Sequence, residues 1–148
     1  MTTLDPLRQI LSFQASRNNP GANYYYEFGI VPFEHSIHPS DFMRSHFHLQ
    51  YNDTLTVHEI SESGFKKAIY NWFFECERSK NTNTNPSENT EYVESFYQSL
   101  ASVTRGKRIY HFQNVNEGHY EYQLGIYFDY FYIEGEENNF LVYFSMQD

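Results

Sequence analysis

Phe65, Ala68, Ile69, Trp72, Phe73 and Cys76 recur at intervals of three and four residues. That spacing lines one face of an α-helix and predicts a helix over 63–79. A second helix, over 90–104, carries Val93, Phe96, Tyr97 and Leu100 on one face, with Gly106 as a left-handed stop. A third opens the chain. Thr3 or Asp5 caps it, Pro6 suits its first turn, Leu7, Ile10, Leu11 and Phe13 form its stripe, and Asn18-Asn19-Pro20-Gly21 ends it.

Elsewhere the period changes to two. Residues 22–32 place Ala22, Tyr24, Tyr26, Phe28 and Ile30 on one face of a strand. Residues 43–60 read as a hairpin, with Met43, Ser45, Phe47, Leu49 and Tyr51 on one face and Arg44, His46, His48 and Gln50 on the other. A turn at 52–54 keeps the faces unmixed and sets His48 across from His58. Strands follow at 108–115, 119–133 and 140–146. In the long one, Tyr120, Tyr122, Leu124, Ile126, Phe128, Tyr130 and Tyr132 alternate as the face expected against the helices. The odd positions are then expected to face away. The polar run 80–89 reads as a loop.

The resulting order is αβββααβββ: an α+β fold, an antiparallel sheet with helices packed on one face. A length of 148 residues fits a single domain spanning 1–148. No run approaches the roughly 18 apolar residues of a membrane span. Asp5 and Arg8 interrupt the place where a signal peptide needs an apolar core. Cys76 is the one cysteine, so no intramolecular disulfide forms and a reducing, cytoplasmic setting is expected.

Charge adds a direction. The chain sums to −9, unevenly. Residues 108–148 hold seven carboxylates against Arg108, or −6, together with twelve Phe or Tyr. Residues 1–60 sum to −3 and residues 61–107 to zero. Nucleic acid and anionic membrane are poor direct partners for such a chain, because phosphates are bound by clustered Lys and Arg. A basic protein is the better one. With odd positions of 119–133 facing outward, Glu121, Tyr127 and Asp129 form an exposed acidic face continued at the next turn by Glu134, Glu136 and Glu137. Tyr among acids suits protein recognition, since it offers large contact area at low entropic cost.

Catalytic signatures are sparse. His46, His48 and His58 would converge from neighbouring strands in the hairpin register, a spacing similar to the zinc site of the α-type carbonic anhydrases. Imidazoles on a sheet's polar face are more simply read as solvated side chains. Cys76 lies on a helix's apolar stripe and is expected to be inert. The motifs G-x-S-x-G, S-x-x-K, GxxxxGK[ST] and G-x-G-x-x-G do not occur. We therefore expect no enzyme, no cofactor and no metal. A metal-dependent enzyme using the three histidines and a small-ligand-binding domain stay open as alternatives.

In size, acidity and aromatic content the chain resembles the immunity proteins of bacterial toxin–immunity systems, those of contact-dependent inhibition and polymorphic toxins. The resemblance implies a cytoplasmic toxin inhibitor that binds and neutralises a basic toxin domain, often a nuclease, by protein–protein interaction.

Overall fold

The computed structural model describes residues 3–18, 24–49, 55–76, 85–113, 124–125 and 127–147. Helix α1 (Asp5–Asn18) buries Leu7, Leu11, Gln14, Ala15 and Asn18, a stripe at helical spacing. Phe13 falls off that stripe and is largely exposed. Strand β1 (Tyr25–Phe33) follows the period-two reading, with Tyr26, Phe28 and Ile30 packed into the helix-side core.

The expected hairpin does not form. Its first arm is a helix, α2 (Pro39–His46), so the observed order among the described residues is αβαβααβββ. Local chemistry explains the difference. His38 Nδ1 accepts the amide of Ser40 at 3.2 Å, which caps the first turn, and Pro39 occupies a position where no amide is needed. Met43 is buried, Phe47 lies four residues on, and Phe42 stacks on His46, also four apart. These spacings match a helix as well as an alternating strand, and Ser45 was the weak member of the alternation. His48 then takes a left-handed conformation (φ 52°) in the turn that follows. The expected turn at 52–54 lies outside the described residues. Strand β2 (Thr56–Ile60) pairs with the strand that follows the helices, so His58 stands opposite His111 rather than His48.

Helix α3 (Glu62–Phe74) starts where Ser61 Oγ accepts the amide of Gly64 at 3.0 Å, and it buries Phe65, Ile69, Phe73 and Phe74. Helix α4 (Pro86–Thr104) begins four residues before its expected start. Asn85 caps it, Pro86 fills its first turn, and Asn89, Val93, Phe96, Leu100 and Thr104 are buried. The left-handed stop is Arg105 (φ 49°), not Gly106. Gly106 is required for another reason: a Cβ there would lie 2.5 Å from Ile133 Cγ2.

Strands β3 (Arg108–Gln113), β4 (Tyr127–Glu134) and β5 (Asn139–Gln147) complete one antiparallel sheet of order β1-β5-β4-β3-β2. The α+β class and the antiparallel sheet stand as expected, but the helices do not all share a face. Helices α1, α3 and α4 pack with Phe28, Ile109, Phe131, Ile133, Val142 and Phe144. Met43 of α2, with Phe42 and Phe47, covers Phe33, Tyr130, Leu141 and Tyr143 on the reverse face. Gly29 belongs to that second core, because the Tyr143 ring lies over it at 2.6 Å from where a Cβ would be.

The faces of β4 are consequently opposite to the sequence reading. Phe131 and Ile133 point into the helix-side core, whereas Tyr130 and Tyr132 point toward α2. Both faces of this strand are apolar, so alternation by itself does not say which one meets the helices. A core on both sides of β5 removes the contrast between an inner and an outer face.

Candidate protein-docking surface

On the helix side, at the end of the sheet nearest the C-terminus of α3, the packing becomes polar. Asp129 enters this face from β4 and His111 from β3. Trp72 comes down from α3 and donates its indole N–H to Asp129 Oδ2 at 2.7 Å. His111 Nε2 lies 3.0 Å from Asp129 Oδ1. A carboxylate only accepts, so that nitrogen is the protonated one. Each oxygen of Asp129 therefore holds a different ring.

Both rings are also fixed by stacking. His111 lies on Phe131 with centroids 4.6 Å apart and planes at 23°. Trp72 stacks on Phe144 at 6.0 Å and meets the edges of Phe28 and Tyr26. His58, opposite His111 in register, has its ring centroid 5.8 Å away. Tyr127 stands two residues before Asp129 on the same face and is 68% exposed. His111 and Asp129 are half-buried. The result is a rigid polar and aromatic floor beside a protruding tyrosine.

The structure therefore brings together Tyr127 and Asp129 from the expected acidic face, and adds His58, one of the three candidate zinc ligands. It separates the others. Glu134 lies on the opposite face of β4 from Asp129, about 23 Å along the strand from Tyr127. Glu136 and Glu137 sit in the turn beyond it. Glu121 lies outside the described residues. Two of the acids at the turn also have cations near them. Arg105 Nη1 pairs with Glu136 Oε2 at 3.1 Å, Arg108 faces Glu134 in register, and the Lys107 amide donates to the Glu134 carbonyl at 2.9 Å.

The three candidate zinc ligands are dispersed as well. His46 stacks on Phe42 in α2, on the face of the sheet opposite His58. Among the described residues, no three His, Cys, Asp or Glu side chains converge closely enough to hold a metal ion. Cys76 is half-buried just beyond the end of α3, with Sγ 3.1 Å from the Trp72 carbonyl. A cleft of about 320 Å³ between α4 and the β2–α3 junction has Ser61, Glu62, Tyr97, Lys107 and Arg108 around it. Glu62 there is already committed: hydrogen bonds from Lys66 and then Tyr97 hold its carboxyl below the ordinary range.

Neither a family model nor a curated protein matches the sequence. Two crystal structures of citrus MAF1 share the fold. One aligns with a TM-score of 0.57 at 13% identity, over 96% of this chain and 98% of that one. The second aligns at 0.52 and 11% identity, over 99% of each chain. The likeness is one of fold. It extends over nearly the whole length of both proteins.

Sequence reasoning missed His111 and Trp72. Trp72 reads as a core residue because its stripe position is apolar, and its N–H matters only once Asp129 is opposite it. His111 gains a role from a register that the hairpin reading had assigned to His48. One signal was present: Asp129 is the single charged residue in the apolar run from Tyr127 to Ile133.

Proposed function

We propose that the protein is a cytoplasmic immunity protein that binds and neutralises a basic toxin domain, a nuclease in the simplest case, and that Tyr127 and the Trp72–Asp129–His111 floor form the contact. One observation carries this reading: Tyr127 is 68% exposed beside a carboxylate whose geometry two hydrogen bonds already fix. A preorganised charge next to an exposed aromatic anchor is the pattern of an interface hot spot, because little further entropy is lost on docking. The chain's charge of −9 supports a basic partner by steering its approach. Among the described residues, no helix is long and apolar enough to cross a membrane.

Glu136 at the turn is already paired with Arg105. Binding kinetics with a purified basic nuclease toxin domain, together with protection of cells that express it, provide the test. Tyr127→Ala should speed dissociation about 5- to 150-fold, the equivalent of about 1–3 kcal/mol. Glu136→Lys with Glu137→Lys takes the net charge from −9 to −5 and should mainly slow association. Unaltered binding and unaltered protection of toxin-expressing cells in Tyr127→Ala would place the interface elsewhere and refute the reading.

A further inference from the structure

We infer that the cleft between α4 and the β2–α3 junction is a binding site for a small organic anion, a monocarboxylate with a compact apolar body. The cleft reaches Ile133, at the opposite end of β4 from Tyr127, so the inference stands apart from the docking surface. Its volume is about 320 Å³. At roughly 30 Å³ for each water-sized group, that space holds on the order of ten non-hydrogen atoms. It falls at the lower end of the roughly 300–1,000 Å³ found for small-molecule sites.

The floor of the cleft calls for the apolar body. Leu100 from α4, Ile109 from β3 and Ile133 from β4 line it and belong to the helix-side core. A ring or short hydrocarbon laid on them removes apolar surface from water.

The charged group follows from which polar side chains at the rim are already used. Ser61 Oγ accepts the Gly64 amide at 3.0 Å, and the Thr104 hydroxyl donates to the Leu100 carbonyl at 2.8 Å. Lys66 Nζ holds Glu62 at 2.9 Å, and Tyr97 bonds the same carboxylate. Arg108 has Tyr110 as its first partner, with Glu59 and Glu134 close by. Lys107 differs. Its backbone amide is fixed to the Glu134 carbonyl at 2.9 Å, yet among the described residues its ammonium enters no ion pair. The uncommitted charge at the rim is therefore a cation, and it selects an anionic head group.

Titration of the protein with 3-phenylpropanoate, with the neutral 3-phenylpropanamide of the same size, and with acetate tests this site. The methyl NMR signals of Leu100, Ile109 and Ile133 locate the binding. The acid should bind saturably and more tightly than the amide by about two- to fivefold, the range of an exposed ion pair. Acetate, which lacks the apolar body, should bind at least about tenfold more weakly than the acid. Lys107→Gln, at an exposed position, should erase the preference for the acid and leave binding of the amide unchanged. Ala101→Leu, which fills part of the cleft, should weaken both probes. If that variant does not fold, the Lys107→Gln comparison decides alone. Methyl signals that do not saturate with either probe overturn the inference. So does an equal preference for the acid in parent and Lys107→Gln, or acetate binding as tightly as 3-phenylpropanoate. Tyr127→Ala should bind the probes as the parent does, which keeps this outcome separate from that of the immunity reading.

Discussion

Asp129→Ala tests the centre of the candidate surface without any partner. It removes the acceptor for Trp72 Nε1 at 2.7 Å and for His111 Nε2 at 3.0 Å. Hydrogen bonds to a charged group contribute about 1.5–3 kcal/mol each where water is excluded. Asp129 is 33% exposed, so water replaces part of what is lost, and exposed pairs contribute only about 0–1 kcal/mol. Between these limits the expected loss for the two bonds is about 1–2 kcal/mol, or about 3–6 °C in Tm for a domain of this size. Urea unfolding followed by Trp72 emission reads stability and the local environment together. Asp129→Asn keeps one acceptor oxygen and should fall between parent and alanine variant. A stability within about 0.5 kcal/mol of the parent, with an unchanged emission spectrum, would show that Asp129 does not hold the two rings.

Three further outcomes follow from the packing. Asn18 is fully buried in α1 and donates to the Trp72 and Phe73 carbonyls at the end of α3, at 2.9 and 3.4 Å; Asn18→Ala should cost about 1–3 kcal/mol by urea unfolding. Gly29→Ala should cost about 1–3 kcal/mol, because Tyr143 is held against Tyr130 and Phe47 and has no room to retreat, whereas Gly64→Ala in α3 should be neutral or gain up to about 1 kcal/mol. Burial, and then the nearby Glu27, pushes Tyr143 up from 10.0 to about 12, and burial also raises Tyr130. The unfolded chain therefore loses the Tyr143 proton first. Its stabilising contribution is complete below pH 10 and declines as the pH rises toward 12, by about 1.4 kcal/mol per pH unit. Tyr143→Phe should make the alkaline fall in urea midpoint shallower, and an identical fall would contradict the assigned cause.

Local signals decided the elements that local chemistry controls. The stripes of α1, α3 and α4, the alternation of β1, and the class of an antiparallel sheet with helices were all legible, because each is set by side chains within a few residues of one another. Segment 39–47 was ambiguous for the same reason. Met43, Phe47 and Phe42 satisfy both periods, and the cap from His38 with Pro39 decides for the helix. No local rule, however, states which face of β4 meets the helices. That choice depends on α2 covering the reverse face, which makes Tyr130 and Tyr132 core residues there and turns Asp129 toward Trp72.

Charge shows the same division. Counted along the chain, residues 108–148 are acidic by six. In the fold, Arg105 pairs with Glu136 and Arg108 stands opposite Glu134, while Asp129 is drawn between two rings contributed by residues 72 and 111. Composition fixes the total charge. Where that charge is available for contact depends on pairings between residues 18 to 57 positions apart, which arise only when the sheet closes and the helices pack on it.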